Sequence, residues 1–169
     1  MRDDQGISLR APEADELEAL DALCFRSKAH WGYDADFMEL CRPVLRVDPD
    51  ALSENRVQVA EIGGALAGVA QISVERSEAE LDLLFVDPEF FGKSVGVALF
   101  NWACDTARDQ RTAILTIHSD PNAREFYEKM GAKYEGDLPS EVIPDRRLPR
   151  LRKNLYAMMR MNIKRGLQS

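Results

Sequence analysis

Two carboxylates, Glu80 and Asp82, stand just before the apolar run Leu83-Leu84-Phe85-Val86. Residues i and i+2 of an extended chain share a face, so both carboxylates point the same way, either as a group that can take a proton or as the solvated end of the strand. A short distance on, Phe91-Gly92-Lys93-Ser94-Val95-Gly96-Val97 is a small-residue turn that opens into a helical pattern. Val95, Ala98, Leu99, Trp102, Ala103 and Ala107 make its apolar stripe. The first amides of a helix have no partner within it, and the helix dipole makes that end partly positive. Glycine lets the backbone approach a ligand, and Lys93 adds a charge. Such a turn cradles a phosphate. Farther along, Tyr127 sits on the apolar face of a short helical segment, a place that more often serves core packing than catalysis.

Several chemistries are excluded by the same residues. The turn is not Gly-x-x-x-x-Gly-Lys-Ser/Thr, and it is not Gly-x-Gly-x-x-Gly after a first strand, so neither a nucleoside-triphosphate loop nor a dinucleotide site is expected. His30 and His118, the only histidines, lie far apart without a serine or cysteine partner pattern, which argues against a hydrolytic triad. Cys24, Cys41 and Cys104 are odd in number and widely spaced, so no metal set and no disulfide framework is expected. A net charge of −7 opposes nucleic-acid binding and is compatible with a cationic or amine substrate. No run approaches the roughly 20 apolar residues of a membrane helix. Met1-Arg2-Asp3-Asp4-Gln5 lacks the apolar core of a secretory signal, so a cytoplasmic protein is expected.

The elements that must position these groups follow from periodicity. At 169 residues the chain suits one domain, residues 1–155, with 156–169 a basic, Met-rich tail or short helix. Ile7 to Arg10 reads as a first strand. Leu17, Leu20, Leu23 and Cys24 mark a helix, which Ser27 to Asp36 interrupts before a second helix through Phe37, Leu40, Cys41 and Val44. Arg46 to Glu54 reads as a loop. Val57 to Ile62 and Ala65 to Val74 form a hairpin about Gly63-Gly64, with Gly68 marking a bulge or a close approach. The central strand runs through Val86 and ends at Asp87-Pro88. Ala113 to Ile117 is another strand. Asp120-Pro121 caps a helix that Gly131 closes, and Ala132 to Gly136 and Leu148 to Leu155 supply two further strands.

Val86 to Leu99 resembles the acetyl-CoA loop of the GNAT N-acetyltransferases. The family's pattern, Gln/Arg-x-x-Gly-x-Gly/Ala, falls on Phe91 to Gly96, with Phe91 at the basic or amide position and Ser94 at the first glycine. Ala123 to Gly131 is similar to the family's second cofactor segment. The order β-α-α-β-β-β-α-β-α-β-β resembles the GNAT fold over nearly the whole chain. The resemblance implies an α/β (α+β) fold with a mixed, mostly antiparallel sheet flanked by helices.

It also implies a function. The chain is expected to be an N-acetyltransferase that passes an acetyl group from acetyl-CoA to a primary amine of a small molecule or peptide, by direct attack in a ternary complex and without a metal. The rivals are a non-catalytic acyl-CoA-binding or sensor module of the same fold and a partner-binding protein with an empty loop. Glu80, at the family's spacing before Phe91, or Asp82 would be the base, with His118 the next candidate. Tyr127 would protonate the departing thiolate, and the amide of Leu84 or Phe85 would polarise the carbonyl. Leu84, Phe85, Val86, Phe91, Gly92, Lys93, Ser94, Val95, Gly96, Val97 and Tyr127 would contact the cofactor. Asn122 would join them, although Asp120 holds the position where an asparagine is commonest. Trp31 and Tyr33, between the first two helices, would border the acceptor. No nucleic-acid or membrane partner is expected, and the sequence leaves room for a homodimer.

Overall fold

A computed structural model of the chain describes residues 6–156. The expected tail at 156–169 therefore lies almost wholly outside the described residues. Strands β1 (Ile7–Arg10), β2 (Val57–Ile62), β3 (Ala65–Glu75), β4 (Glu78–Val86), β5 (Ile114–His118), β6 (Lys133–Pro139) and β7 (Arg147–Asn154) form one seven-stranded sheet in the order β1-β2-β3-β4-β5-β7-β6. Its pairs are antiparallel except β4 with β5. The sheet is mixed and mostly antiparallel, as the family resemblance implied.

Helices α1 (Leu17–Ala29), α2 (Ala35–Cys41) and α3 (Pro49–Ser53) serve one face of the sheet, and α4 (Val95–Asp109) and α5 (Arg124–Lys129) the other. Two local expectations are corrected. Helix α1 continues through Ser27 to Ala29, because Ser27 is buried against the core instead of turning outward. The expected loop over Arg46 to Glu54 contains α3, which Asp48 starts by accepting a bond from the Asp50 amide while Pro49 fills the first turn.

The two cores meet at a flaw in β4. Gln71 pairs with Leu83 and Ile72 with Leu81, so Asp82 is an extra residue, a β-bulge. The bulge reverses the alternation of side chains. Ala79 and Leu81 pack with Phe100 and Ala103 of α4, whereas Leu83 and Phe85 pack with Leu20 and Leu23 of α1. The apolar run of the central strand thus serves both layers, as a strand buried on two faces should.

Gly68 fixes where α4 lands. A Cβ there would lie 2.9 Å from Leu99 Cδ1, from Val95 Cγ1 and from the Phe85 carbonyl oxygen. The first turn of α4 therefore presses directly onto β3, and its N-terminus is held beside the end of β4. A bulge sits next to this contact: Ala60 pairs with Gly68 and Glu61 with Leu66, so Ala67 of β3 is the extra residue.

Candidate active site

The parallel pairing of β4 and β5 stops at Leu81 with Ile117, although β4 continues to Val86. Beyond that point the two strands part and leave an open edge on β4. The Asp87 amide donates to the Ala67 carbonyl at 2.8 Å. Amide directions alternate along a strand, so Phe85 also faces β3, and Leu84 and Val86 turn their N–H groups toward the opening.

At one end of this edge lies the glycine turn. Asp87 accepts a bond from the Glu89 amide, and Arg26 of α1 holds the other Asp87 oxygen at 2.6 Å, which pins the corner. Gly92 has φ +77° and Ser94 φ 65°. Ser94 occupies the left-handed conformation at the position where the family pattern has glycine, at a cost of roughly 1–2 kcal/mol for a residue with a Cβ. No side chain caps α4, and its first bond runs from the Ala98 amide to the Ser94 carbonyl. The amides of Val95, Gly96 and Val97 are left without helical partners. Gly92, Lys93, Ser94 and Val97 are exposed. Phe91, at the basic position of the pattern, packs edge-on against His30 with ring centroids 4.9 Å apart. These residues fit a phosphate-bearing cofactor, held by main chain with Lys93 beside it.

At the other end is a cavity of about 370 Å³, lined among others by Glu80, Asp82, Leu84, His118 and Tyr127. Both sequence-predicted carboxylates reach it, but they lean apart. Glu80 Oε1 lies 3.1 Å from His118 Nδ1 on β5. Asp82 accepts bonds from Gln71 Nε2 at 3.2 Å and Ser73 Oγ at 2.9 Å, both on β3. Burial raises the Asp82 carboxyl above the usual range, and the bonds from Gln71 and Ser73 offset this only in part. The residue as a whole is exposed, and solvent at the carboxyl tempers the effect of burial.

Tyr127 is 6% exposed and packs between Phe100 and Phe126. Its hydroxyl makes no hydrogen bond among the described residues, yet the residue lines the cavity. Burial raises its pKa well above the ordinary phenol value, and the charge of Asp120 adds to the effect. It is a protonated hydroxyl facing the opening.

Asn122 does not face the opening freely. Its Nδ2 donates to Asp120 Oδ1 at 2.9 Å and to the Tyr33 hydroxyl at 3.1 Å. Asp120 is the centre of a cluster that the sequence did not disclose. It accepts from Lys28 Nζ at 3.0 Å and from the Tyr33 hydroxyl at 2.8 Å, and Arg146 Nη2 lies 3.5 Å away. Burial works against its charge, but the Asn122 amide, Lys28 and Tyr33 outweigh that and hold its carboxyl below the usual range. Lys28 and Arg146 also line the cavity. Trp31, 47% exposed, stands at its rim.

The comparisons with known proteins agree with this geometry. A model of the acetyltransferase (GNAT) domain matches residues 44–137. With that match over more than half of its length, the chain belongs to the GNAT acetyltransferase family. An uncharacterised N-acetyltransferase of Methanocaldococcus jannaschii is 27% identical over 136 residues, 73% of this chain. The chain spans 59% of that relative's length. A GCN5-related N-acetyltransferase structure from Rhodopseudomonas palustris superimposes with a TM-score of 0.71 at 20% identity, covering 87% of this chain and 94% of that one. The PaiA N-acetyltransferase of Thermoplasma acidophilum, solved with coenzyme A, gives a TM-score of 0.71 at 17% identity over 88% of this chain and 98% of that one. Among the described residues, no helix is long and apolar enough to cross a membrane.

Proposed function

We propose that the chain transfers the acetyl group of acetyl-CoA to a primary amine by direct attack in a ternary complex. The observation that carries this reading is the open edge of β4, which joins an anion-binding helix start to a cavity holding Glu80, Asp82, His118 and Tyr127. Acetyl-CoA would supply the activated acyl group, with its phosphates at the amides of Val95, Gly96 and Val97 and its pantetheine arm along Leu84, Phe85 and Val86.

The chain's own groups then have separable tasks. The Leu84 N–H, turned into the opening, donates to the carbonyl oxygen as negative charge grows there. The amine loses its proton to Glu80, either directly or through His118, or to Asp82, whose raised proton affinity suits a base. As the carbon–sulfur bond breaks, the Tyr127 hydroxyl gives its proton to the sulfur. The phenol is protonated at neutral pH, as the step requires, and burial makes it a weaker acid than a free phenol, so the proton moves only as charge builds on the sulfur. Cys41 lines the cavity, but burial raises its pKa and keeps it a thiol. Cys104, on α4, lies in the core and outside the cavity lining. Direct transfer is therefore favoured over an acylated cysteine.

Thiol release from acetyl-CoA in the presence of small primary amines tests the reading. Substituting Glu80 and Asp82 together by alanine should lower turnover by about 10²-fold or more, while CoA still raises the melting temperature. A double variant with wild-type turnover moves the base to His118. Stabilisation by CoA with no transfer to any amine supports the sensor reading instead.

A further inference from the structure

The cluster around Asp120 contains more positive charge than it needs. Lys28 and Arg146, with side chains only 13% and 16% exposed, share the single carboxylate of Asp120. Tyr33 adds no charge, since burial and then Asp120 raise its pKa. Arg10 shows the opposite ratio in a purely structural tie, with one guanidinium held by both Glu16 and Glu61 at 2.6 Å.

Arg146 is also underused. Its Nη2 donates to the Tyr33 hydroxyl at 2.8 Å and reaches Asp120 only at 3.5 Å. Its Nε and Nη1 have no partner among the described residues, and neither is sealed from solvent. The stacked rings of Tyr33 and Phe37, with centroids 4.2 Å apart, hold both cations in place. The Arg146 guanidinium carbon lies 4.7 Å from the Phe37 centroid, and Lys28 Nζ lies 5.3 Å from the Tyr33 centroid. Donors on a half-buried cation that face the cavity and meet only water are free to bind an anion that enters it. A guanidinium fork matches the two oxygens of a carboxylate.

Resting on the acetyl-transfer reading above, we infer that the acceptor is a small amino carboxylate. Its amine is directed to Glu80 and Asp82, and its carboxylate is held by Arg146 and Lys28 in the same cavity. That cavity, about 370 Å³, has the volume of a small-molecule site. Its charge is divided: Glu80 and Asp82 stand on β4, while Lys28 of α1 and Arg146 share Asp120 and so leave one positive charge over, with Glu141, on the segment between β6 and β7, a further carboxylate of the lining.

The experiment uses the full chain with acetyl-CoA and matched amines: amino acids with acidic, neutral and basic side chains, each beside its α-amide and its decarboxylated amine. The carboxylate-bearing member of at least one set should be favoured by about tenfold or more in kcat/KM, chiefly through KM, as expected for a charge-assisted pair. Arg146→Gln should collapse that preference, and Arg146→Glu should turn it toward amines carrying a second cation. If the Arg146 variants do not fold, Lys28→Gln should weaken the same preference. Equal use of amides and carboxylates by the wild type, or no acetylation of any amino carboxylate, overturns the inference. A protein that CoA stabilises and that acetylates amines regardless of the carboxylate keeps the acetyl-transfer reading and loses only this one. No CoA-induced stabilisation and no thiol release from any amine removes both.

Discussion

At the α4 end of the cleft, the groups that would meet a ligand are main-chain amides, those of Val95, Gly96 and Val97 beside the exposed Gly92 and Lys93. At the α1 end they are side chains gathered from four places in the chain: Lys28, Glu80 and Asp82, His118 and Asp120, and Arg146, with Tyr33 behind them bonded to Arg146. An amide keeps its direction when its own side chain changes. The α4 end therefore tolerates Phe91 and Ser94 at positions where the family pattern has other residues, and it remains recognisable. At the α1 end each substitution replaces the recognising group itself, so that end is where the identity of an acceptor is written.

The strongest test of this contrast places a side chain into the main-chain site. Gly96 lies in the first turn of α4, and a Cβ there would stand 3.4 Å from the Phe126 ring, an ordinary contact. Gly96→Ala should therefore fold and keep most of the CoA-induced rise in melting temperature. Gly96→Asp adds a carboxylate to the turn whose amides are proposed to hold the diphosphate. Two unit charges about 4 Å apart near a protein surface repel by about 4 kcal/mol, or roughly 10³-fold in affinity. If CoA stabilises a folded Gly96→Asp protein as it does the wild type, the phosphates lie elsewhere.

The same contrast explains what could be read from the sequence. The strand, turn and helix from Glu78 to Asp109 were legible because each signal is local: an apolar run, Asp87-Pro88, two glycines and a helical stripe. Gly68 was legible as a close approach, although not which atoms approach it. Helix α3 was missed because five residues carry too little periodicity against Pro49, which here starts a helix instead of breaking one. The Asp82 bulge depends on β3 and has no signature within β4. The Arg146 contacts with Tyr33 and Asp120 join segments distant in sequence. Nothing in the Pro-punctuated stretch around Arg146 signals a side chain that folds back toward α1.

Tyr127 belongs to both descriptions, since it packs like core and lines the cavity. Tyr127→Phe keeps the ring contacts with Phe100 and Phe126, and no hydrogen bond of the hydroxyl is lost among the described residues. A packing role therefore predicts little change in stability or turnover. A proton donor predicts a fall in kcat of about 10²-fold, the lower part of the range for general acid catalysis because a thiolate leaves readily, with acetyl-CoA affinity nearly unchanged. A thioester with a more acidic thiol should recover part of the loss. Unchanged turnover would leave Tyr127 as packing, with solvent protonating the sulfur.

The smallest expected effect compares the two aspartates of the cavity, which share a residue type and have opposite surroundings. Burial raises the Asp82 pKa above that of an unfolded aspartate, near 3.9. The folded state therefore prefers this group protonated, and its stabilising contribution is complete below about pH 3.9 and lost as pH rises through the folded pKa. Asp120 is the reverse. Burial opposes its charge, but the Asn122 amide, Lys28 and Tyr33 prevail and lower its pKa. Its contribution is present above the unfolded pKa and lost as pH falls through the folded one. Asp82→Asn should therefore compare more favourably with the wild type at neutral pH than near pH 4, and Asp120→Asn less favourably. Melting temperatures measured across that range should diverge in opposite directions, by an amount of the order of a few degrees. Parallel, pH-independent offsets for the two variants would mean that both carboxylates are held alike, and that the charge in the cavity is not divided between a proton-accepting end and an anion-binding end.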